Sequence, residues 1–232
     1  MRVAIMQPYL FPYVGYFQLL HRADVFVLLD DVAYIKKGWI NRNRILVNGS
    51  EYLFTIPIAS GSQNKLIKDT HLHADDKSLG KLLITIRQAY SAAPEMARVL
   101  PLIEQVLLAP ESDITTLVGH SLKLINDYVG APMPLVRSSE IEKNNQLTGQ
   151  SRVIEICQRL GATEYVNASG GASLYSHSEF AQAGIVLQFL QPVLQPYPQG
   201  TNAFVPGLSI IDVLMHNTAE QVRSMFGQGM LL

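Results

Sequence analysis

Short apolar runs at the start of the chain alternate with polar and proline-rich segments and predict a strand, a short helix and a second strand. The runs VAIM at residues 3–6 and VFVLL at residues 25–29 are each followed by polar residues, which indicates two buried strands. Pro8 and Pro12 exclude a helix directly after the first run, whereas residues 15–22 suit one or two helical turns. These elements predict a compact βαβ unit with parallel strands.

A hairpin pattern follows the second predicted strand. The β-rich runs at residues 44–47 and 51–57 are separated by Asn48 and Gly49. Both central positions of a type I′ turn need positive φ, which this dipeptide tolerates. We therefore predict a β-hairpin here and a further strand at residues 66–72.

From residue 75 to residue 130 the apolar positions recur at helical spacing. Five of them share one face of a first helix: Leu79, Leu82, Leu83, Ile86 and Tyr90. Asp113 has the position of an N-cap for a later helix that Gly130 ends. We expect a helical insertion or subdomain over residues 75–131, joined to a core domain made of residues 1–74 and 132–232.

The rest of the chain returns to alternating strands and helices. Apolar runs at residues 163–166 and 185–189 indicate strands, and Thr218 with Gln221 has the spacing of a capping box. The predicted fold class is α/β, with a small parallel or mixed sheet, flanking helices, a β-hairpin after the second strand and the helical insertion.

Composition restricts the class of protein further. The 232 residues are 48% hydrophobic, enough for one large domain or one domain with an insertion. The net charge of −1 gives no reason to expect nucleic acid as a partner. Cys157 is the single cysteine, and no apolar run approaches the roughly 20 residues that span a bilayer. We expect a cytoplasmic protein without a transmembrane segment.

The densest polar stretch lies directly after the second predicted strand. The string DDVAYIKKGWINRNR at residues 30–44 contains two acids, four basic residues and the only tryptophan, although the whole chain is only 16% charged. Open α/β sheets bind ligands beyond the carboxyl ends of their strands. We therefore predict that this stretch carries the functional site.

Four strings resemble the WbqC-like family of bacterial proteins. They are MQPYLFPYVGYF at residues 6–17, LDDVAYIKKGWINRNR at 29–44, RVIEICQRLGATEY at 152–165 and LSIIDVL at 208–214. The resemblance extends over nearly the whole chain, and the second string is its most specific part. It implies an association with gene clusters for O-antigen, other surface polysaccharides or natural products, and the role suggested for the family is glycine or other aminoacyl transfer.

Five residues of the polar stretch are the candidates for catalysis. Asp30 and Asp31 leave a strand on opposite sides, so one of them could act as a general base, or both could cap the loop. Lys37 and Arg42 could clamp a phosphate or, together with Asn41, stabilise developing negative charge. Alternatively, these side chains lie on a solvated surface loop.

Further residues are predicted to contact substrate. The turn after the first strand could share the cleft, because carboxyl ends of neighbouring parallel strands meet at one edge. Trp39 could stack on a sugar or a base or anchor its loop, and Asp212 could be a second acid or a helix N-terminal charge. The predicted set is Gln7, Tyr9, Tyr13, Tyr34, Trp39, Asn43, Tyr197, Gln199 and Asp212, with Asn202 as a further candidate.

The chain lacks the glycine-rich nucleotide-binding motifs and the Gly-x-Ser-x-Gly elbow, so an amide-forming enzyme would need a donor that is already activated. We predict an acyl or aminoacyl transferase, for example for glycine, that forms an amide on an amino-sugar or a carrier-bound intermediate. The expected partners are an activated donor such as a carrier-protein thioester and an amine acceptor such as an amino-sugar nucleotide. We expect no cofactor, and no metal because the histidines are scattered.

Two other functions stay open. The first is a non-catalytic module that binds a phosphorylated glycan or a carrier protein through the same basic residues. The second is an enzyme that modifies a sugar nucleotide by another type of reaction.

Overall fold

A computed structural model describes residues 1–59, 64–73, 76–110, 113–200 and 203–232. Its strands are β1 (Arg2–Met6), β2 (Val25–Leu28), β3 (Arg42–Val47), β4 (Ser50–Thr55), β5 (Leu135–Arg137), β6 (Glu164–Ala168), β7 (Val186–Gln191) and β8 (Met230–Leu231). Its helices are α1 (Val14–Leu20), α2 (Asp76–Ala89), α3 (Met96–Leu107), α4 (Ile114–Tyr128), α5 (Gly149–Arg159), α6 (His177–Gln182), α7 (Ile210–His216) and α8 (Ala219–Phe226). No helix in this part of the chain is long and apolar enough to cross a membrane.

Six strands form the main sheet in the spatial order β5-β2-β1-β6-β7-β8. β1 pairs in parallel with β2 and β6, β2 with β5, and β6 with β7, whereas β8 is antiparallel to β7. The α/β fold class and the parallel β1-α1-β2 unit are therefore confirmed. After β1 the chain adds β2 and then β5 on one side of β1, whereas β6, β7 and β8 are added on its other side. This reversal creates a switch point between β1 and β6, where open α/β sheets bind ligands.

Each face of the sheet packs against its own layer of helices. Val3 and Ile5 of β1 belong to one apolar cluster together with residues of α5 and α6. Ala4, between them, faces the other cluster, because successive strand residues point to opposite sides. Ile86 of α2 and Leu117 of α4 belong to this second cluster, so the predicted helical insertion shares a core with the sheet.

β3 and β4 form a separate two-stranded antiparallel sheet. Asn48 and Gly49 have φ values of 50° and 75°, and the predicted hairpin turn is confirmed. The predicted caps Asp113 and Thr218 are also confirmed: the side chain of each accepts a hydrogen bond from the first turn of its helix, and Thr218 forms the full capping box with Gln221.

The prediction of a strand at residues 66–72 is wrong. The segment forms a 3₁₀ turn at Ile67–Asp69, with only isolated bridges at its ends. The main-chain nitrogens of Ile67 and Lys68 donate to the carbonyls of Val32 and Asp30 at 2.9 and 2.8 Å. These bonds fix the segment as a turn beside the residues that follow β2, so local β propensity does not decide its conformation.

Candidate functional site

The turn after β1 and the polar stretch before β3 lie side by side. Leu10 N donates to the carbonyl of Ile40 at 3.2 Å. The amide of Asn43 donates to the carbonyls of Leu10 and Phe11 at 3.2 and 2.7 Å. The Ser209 hydroxyl also donates to Phe11 O, at 2.8 Å, and these bonds hold Phe11 at a φ of 42°, which is unusual for a residue other than glycine. The predicted contact residue Asn43 thus joins the two segments.

A cleft of about 240 Å³ opens between these segments. It is lined by Tyr9, Pro12, Tyr13, Trp39, Asn43, Arg44 and Gly207. We call it the aromatic cleft. It adjoins the connection from β1 to α1, next to the switch point of the sheet.

Two cations lie against the Trp39 ring: the guanidinium carbon of Arg42 is 5.7 Å from its centroid, and Arg44 is the one of the two that lines the cleft. The guanidinium carbon of Arg44 is 5.4 Å from the centroid of the Trp39 ring, within cation–π range, and Trp39 is 38% exposed. The same guanidinium forms a 2.6 Å ion pair with Glu51 that is partly open to solvent. The cleft therefore combines flat apolar surfaces with a positive group, which suits a sugar or another flat group that carries a negative charge.

The ring of Tyr13 is packed tightly against the start of α1. A Cβ added at Gly15 would lie 2.4 Å from a ring carbon of Tyr13 and 2.8 Å from Cβ of Pro192. Burial raises the pKa of both Tyr9 and Tyr13, and the proximity of Tyr9 raises that of Tyr13 further. Both phenols therefore stay neutral near pH 7 and can donate hydrogen bonds to a ligand.

Gln7 and, on the loop before β3, Lys37 and Arg42 contribute main-chain or side-chain bonds that hold local structure. The half-buried Gln7 accepts at its carbonyl from Tyr16 at 2.9 Å. Arg42 Nε donates to Gly38 O at 2.8 Å, and its Nη2 donates to the carbonyl of Lys37, whose side chain is exposed. The Arg42 guanidinium therefore braces the chain around Lys37, and neither residue is part of the lining of the aromatic cleft.

Two further candidates lie beneath the same loop. Buried Asn41 donates through Nδ2 to Ile56 O at 2.7 Å and accepts from the hydroxyl of Tyr34 at 2.8 Å. These bonds attach the loop to the segment after β4. Asn41 and Tyr34 are satisfied within the fold and do not belong to the lining of the aromatic cleft.

Asp30 and Asp31 lie buried at the carboxyl end of β2, where the sequence placed them, but they bond different partners. Asp30 is 0% exposed and accepts from Ser139 N and Ser139 Oγ at 2.9 and 2.8 Å. Burial raises the pKa of Asp30, and the bonds from Ser139 offset this effect only in part.

Asp31 has cationic partners instead. Its carboxylate is 2.7 Å from Nζ of Lys143 and 3.6 Å from Nη1 of Arg152, and it accepts from Ser138 Oγ at 2.8 Å. Burial alone would raise the pKa of Asp31, but the bonds from Lys143 and Ser138 and the charge of Arg152 outweigh it, so the net pKa lies below its usual value. We call Asp30, Asp31, Ser138, Ser139, Lys143 and Arg152 the acid cluster.

Sequence reasoning missed the partners of these two acids. The side chain of Lys143 is 1% exposed, although it follows a short polar segment that resembles a surface loop. The one available indication was Arg152, a charged residue beside the apolar face of α5. A buried cation of this kind needs a carboxylate partner, which the sequence alone does not identify.

The remaining candidates form a third group around Asp212. This carboxylate is 0% exposed and accepts from the hydroxyls of Tyr90 and Tyr197 at 2.8 and 2.7 Å, and from Gln199 Nε2 at 2.9 Å. Burial and the nearby carboxylate raise the pKa of both tyrosines. This Asp212 network joins α7 to the residue after α2 and to the segment between β7 and α7, which carries Tyr197 and Gln199. None of its members lines the aromatic cleft, and Asn202 lies outside the described residues.

Two comparisons with known proteins each cover more than nine tenths of the chain. The model of the WbqC-like protein family matches residues 7–224, which include both walls of the cleft and the acid cluster. The chain is also similar to a protein of Mycobacterium tuberculosis named Uncharacterized protein Rv1507c, at 29% identity over 222 residues that cover 94% of this chain and 95% of that protein. Because the family match extends over nearly all of the sequence, the chain belongs to the WbqC-like protein family.

Proposed function

We propose that the chain is an acyl or aminoacyl transferase that forms an amide from a pre-activated donor, and that the aromatic cleft holds the reacting ends of its substrates. The observation that carries this proposal is the cleft, which combines the aromatic rings of Tyr9, Tyr13 and Trp39 with one guanidinium beside the switch point. The family resemblance, which implies aminoacyl transfer, supports the same reaction class.

The residues that line the cleft favour a donor that is already activated when it binds. Its described lining contains no carboxylate and no histidine, so it provides binding and positive charge but no general base. In aminolysis of a thioester, the amine nitrogen forms a bond to the carbonyl carbon. The C–S bond then breaks, the thiolate leaves with the electron pair, and the ammonium proton passes to a base or to solvent. Positioning and stabilisation of the oxyanion supply most of what this step requires.

The side chains can be given roles in this scheme. Arg44 would bind the phosphate of an amino-sugar nucleotide or stabilise the oxyanion, and Trp39 would stack on the sugar. Asp30 is 0% exposed, accepts from Ser139 and does not line the cleft, so the ammonium proton would pass to solvent rather than to this acid. Asp31, held by Lys143, would support the strand end.

A second candidate is a binding module without catalytic activity. The observation that favours it is that Asp30 and Asp31 are both buried and engaged in internal bonds. In this case the aromatic cleft would bind a phosphorylated glycan or a carrier protein and would need no base.

The test is to incubate the purified protein with the glycyl thioester of N-acetylcysteamine and a panel of amino-sugar nucleotides, and to detect the amide by mass spectrometry. Trp39→Ala and Arg44→Met should each lower the turnover at least about tenfold, because each removes a contact to the reacting groups. Tyr52→Ala is the matched control, since Tyr52 is 43% exposed and lies outside the cleft. Thermal melting confirms that every variant is folded.

Asp30→Asn tests whether the acid cluster takes part in proton transfer. Unchanged turnover is expected, because Asp30 does not line the cleft, whereas loss of turnover with retained nucleotide binding and an unchanged melting temperature would make Asp30 the base. If no donor yields an amide while a sugar nucleotide still raises the melting temperature, the chain is a binding module.

A further inference from the structure

An exposed surface with both basic and apolar side chains borders the aromatic cleft. We call it the basic–apolar patch, and it consists of Ile35, Lys36, Lys37, Trp39, Arg42, Arg44 and Leu53. Ile35, Trp39 and Leu53 are 47%, 38% and 48% exposed. Leu53 pairs with Arg44 across the hairpin, so their side chains share the face on which Trp39 contacts Arg44.

The loop that carries this patch is braced from within. The guanidinium of Arg42 donates to the carbonyls of Lys37 and Gly38, and Gly38 N donates to Ile35 O at 3.2 Å. Lys37 has a φ of 61°, a left-handed conformation that these bonds hold in place. The exposed side chains are therefore presented in a fixed arrangement, which lowers the entropy that a partner must overcome on binding.

The charge of the patch is largely unbalanced. Among the described residues, no ion pair joins Lys36, Lys37 or Arg42 to an acid, and Arg44 pairs with Glu51. Uncompensated cations of this kind attract an acidic surface and speed its association. Since the whole chain has a net charge of −1, this excess is a local property of the patch.

We propose that the basic–apolar patch is the docking surface for an acidic carrier protein that brings the donor as a thioester. This inference rests on the proposed transferase function and names the source of its donor. The aliphatic side chains Ile35 and Leu53 favour a protein surface over a nucleic acid, because phosphate backbones are bound by cations and gain little from aliphatic groups. Trp39 and Arg44 belong to both surfaces, so a carrier on the patch lies at the cleft entrance.

The test compares two double variants with the same chemical change. Ile35→Glu with Lys36→Glu alters the patch, whereas Ile84→Glu with Lys81→Glu places the same charges on the exposed face of α2, where Ile84 is 56% exposed. The substrates are an acidic acyl carrier protein loaded with a glycyl phosphopantetheine thioester and the free glycyl thioester of N-acetylcysteamine.

For the patch variant, KM for the carrier-bound donor should rise at least about tenfold, since like charges at a docking surface oppose association. The kinetics with the free thioester should not change, and the α2 variant should behave as the wild type with both donors. Equal effects of both variants, or no effect of either, would overturn the proposal. If bulk tRNA displaces the carrier and an excess of another acidic protein does not, the patch binds nucleic acid. This result would also overturn the proposal.

The failure of this proposal can be told apart from failure of the transferase. Transfer from both donors that the patch variant leaves unchanged would overturn the docking surface and keep the enzyme. Absence of transfer from either donor, combined with carrier binding that only the patch variant loses, would end the transferase proposal and keep the docking surface.

Discussion

Asp31 and Lys37 belong to the same polar stretch, but the fold buries one and exposes the other. Asp31 is 7% exposed and lies between Lys143 and Arg152, whereas the side chain of Lys37 is exposed on a braced loop beside the aromatic cleft. The acid cluster joins the end of β2 to the segment after β5 and to α5. The basic–apolar patch leaves its cations open to a partner. A dense run of charges in a sequence can therefore combine a structural support with an interaction surface.

Removal of a buried cation should lower the free energy of unfolding more than removal of an exposed one. Lys143→Ala should lower the free energy of unfolding by about 3–5 kcal/mol, because it leaves Asp31 buried with a weakened ion pair. Lys123→Ala is the matched control: Lys123 also pairs with an acid, Asp127, but its side chain is 71% exposed, so the expected loss is below about 0.5 kcal/mol. Urea denaturation measures both. Similar losses for the two variants would contradict the structural role of the acid cluster.

The cleft wall should be more sensitive to added volume than an open helix. Gly15→Ala places a Cβ against the Tyr13 ring and should cost about 1–3 kcal/mol, with weaker binding in the aromatic cleft. Gly80→Ala on α2 has no atom within 4 Å of the new Cβ and should instead stabilise the protein by up to about 1 kcal/mol. Urea denaturation and ligand-induced shifts in melting temperature test the pair. A stabilising Gly15→Ala would show that Tyr13 is not packed as described.

The two adjacent acids should respond to pH in opposite directions. Asp31 has a lowered pKa in the folded protein, so its contribution to stability is complete above the unfolded pKa of about 3.9 and is lost as the pH falls through the folded pKa. Asp30 has a raised pKa, so its contribution is complete below the unfolded pKa and is lost as the pH rises through the folded pKa.

At neutral pH, Asp31→Asn should therefore destabilise the protein, and Asp30→Asn should be neutral or stabilising. Asp31→Asn leaves Lys143 and Arg152 buried without their carboxylate, whereas asparagine at position 30 keeps an acceptor for Ser139 and leaves no charge unpaired. Urea denaturation over a series of pH values gives the comparison. Destabilisation by Asp30→Asn at neutral pH that equals the effect of Asp31→Asn would show that both acids are held as carboxylates.

The smallest effect on stability is expected at the exposed ion pair of the cleft. Glu51→Gln removes the partner of Arg44, whose side chain is 34% exposed, and should change the free energy of unfolding by less than about 0.5 kcal/mol. The same variant should bind the acidic carrier protein more tightly, since it removes a negative charge next to the patch. Titration of the carrier with the wild type and the variant checks this. Weaker binding by the variant would place Glu51 among the contacts.

Local patterns identified much of the fold and part of the candidate site. The buried strands β1 and β2, the Asn48–Gly49 turn and the Thr218 cap follow from side-chain periodicity, allowed φ values and hydrogen bonds within one turn. The same patterns failed for residues 66–72, where contacts with the segment after β2 replaced the predicted strand by a 3₁₀ turn. Local energies are decisive only where no distant partner competes for the same main-chain groups.

The amino-acid sequence by itself determined which residues could form strands, turns and caps, because these depend on neighbours within a few positions. Only the tertiary structure decided which polar side chains are buried and bonded within the fold. Ser139 reaches Asp30 across 109 positions of the chain, and Tyr90 reaches Asp212 across 122. A buried carboxylate is stabilised by whichever donors the packing brings within bonding distance. Burial and partners therefore separate Asp31 from Lys37, although one polar stretch contains both.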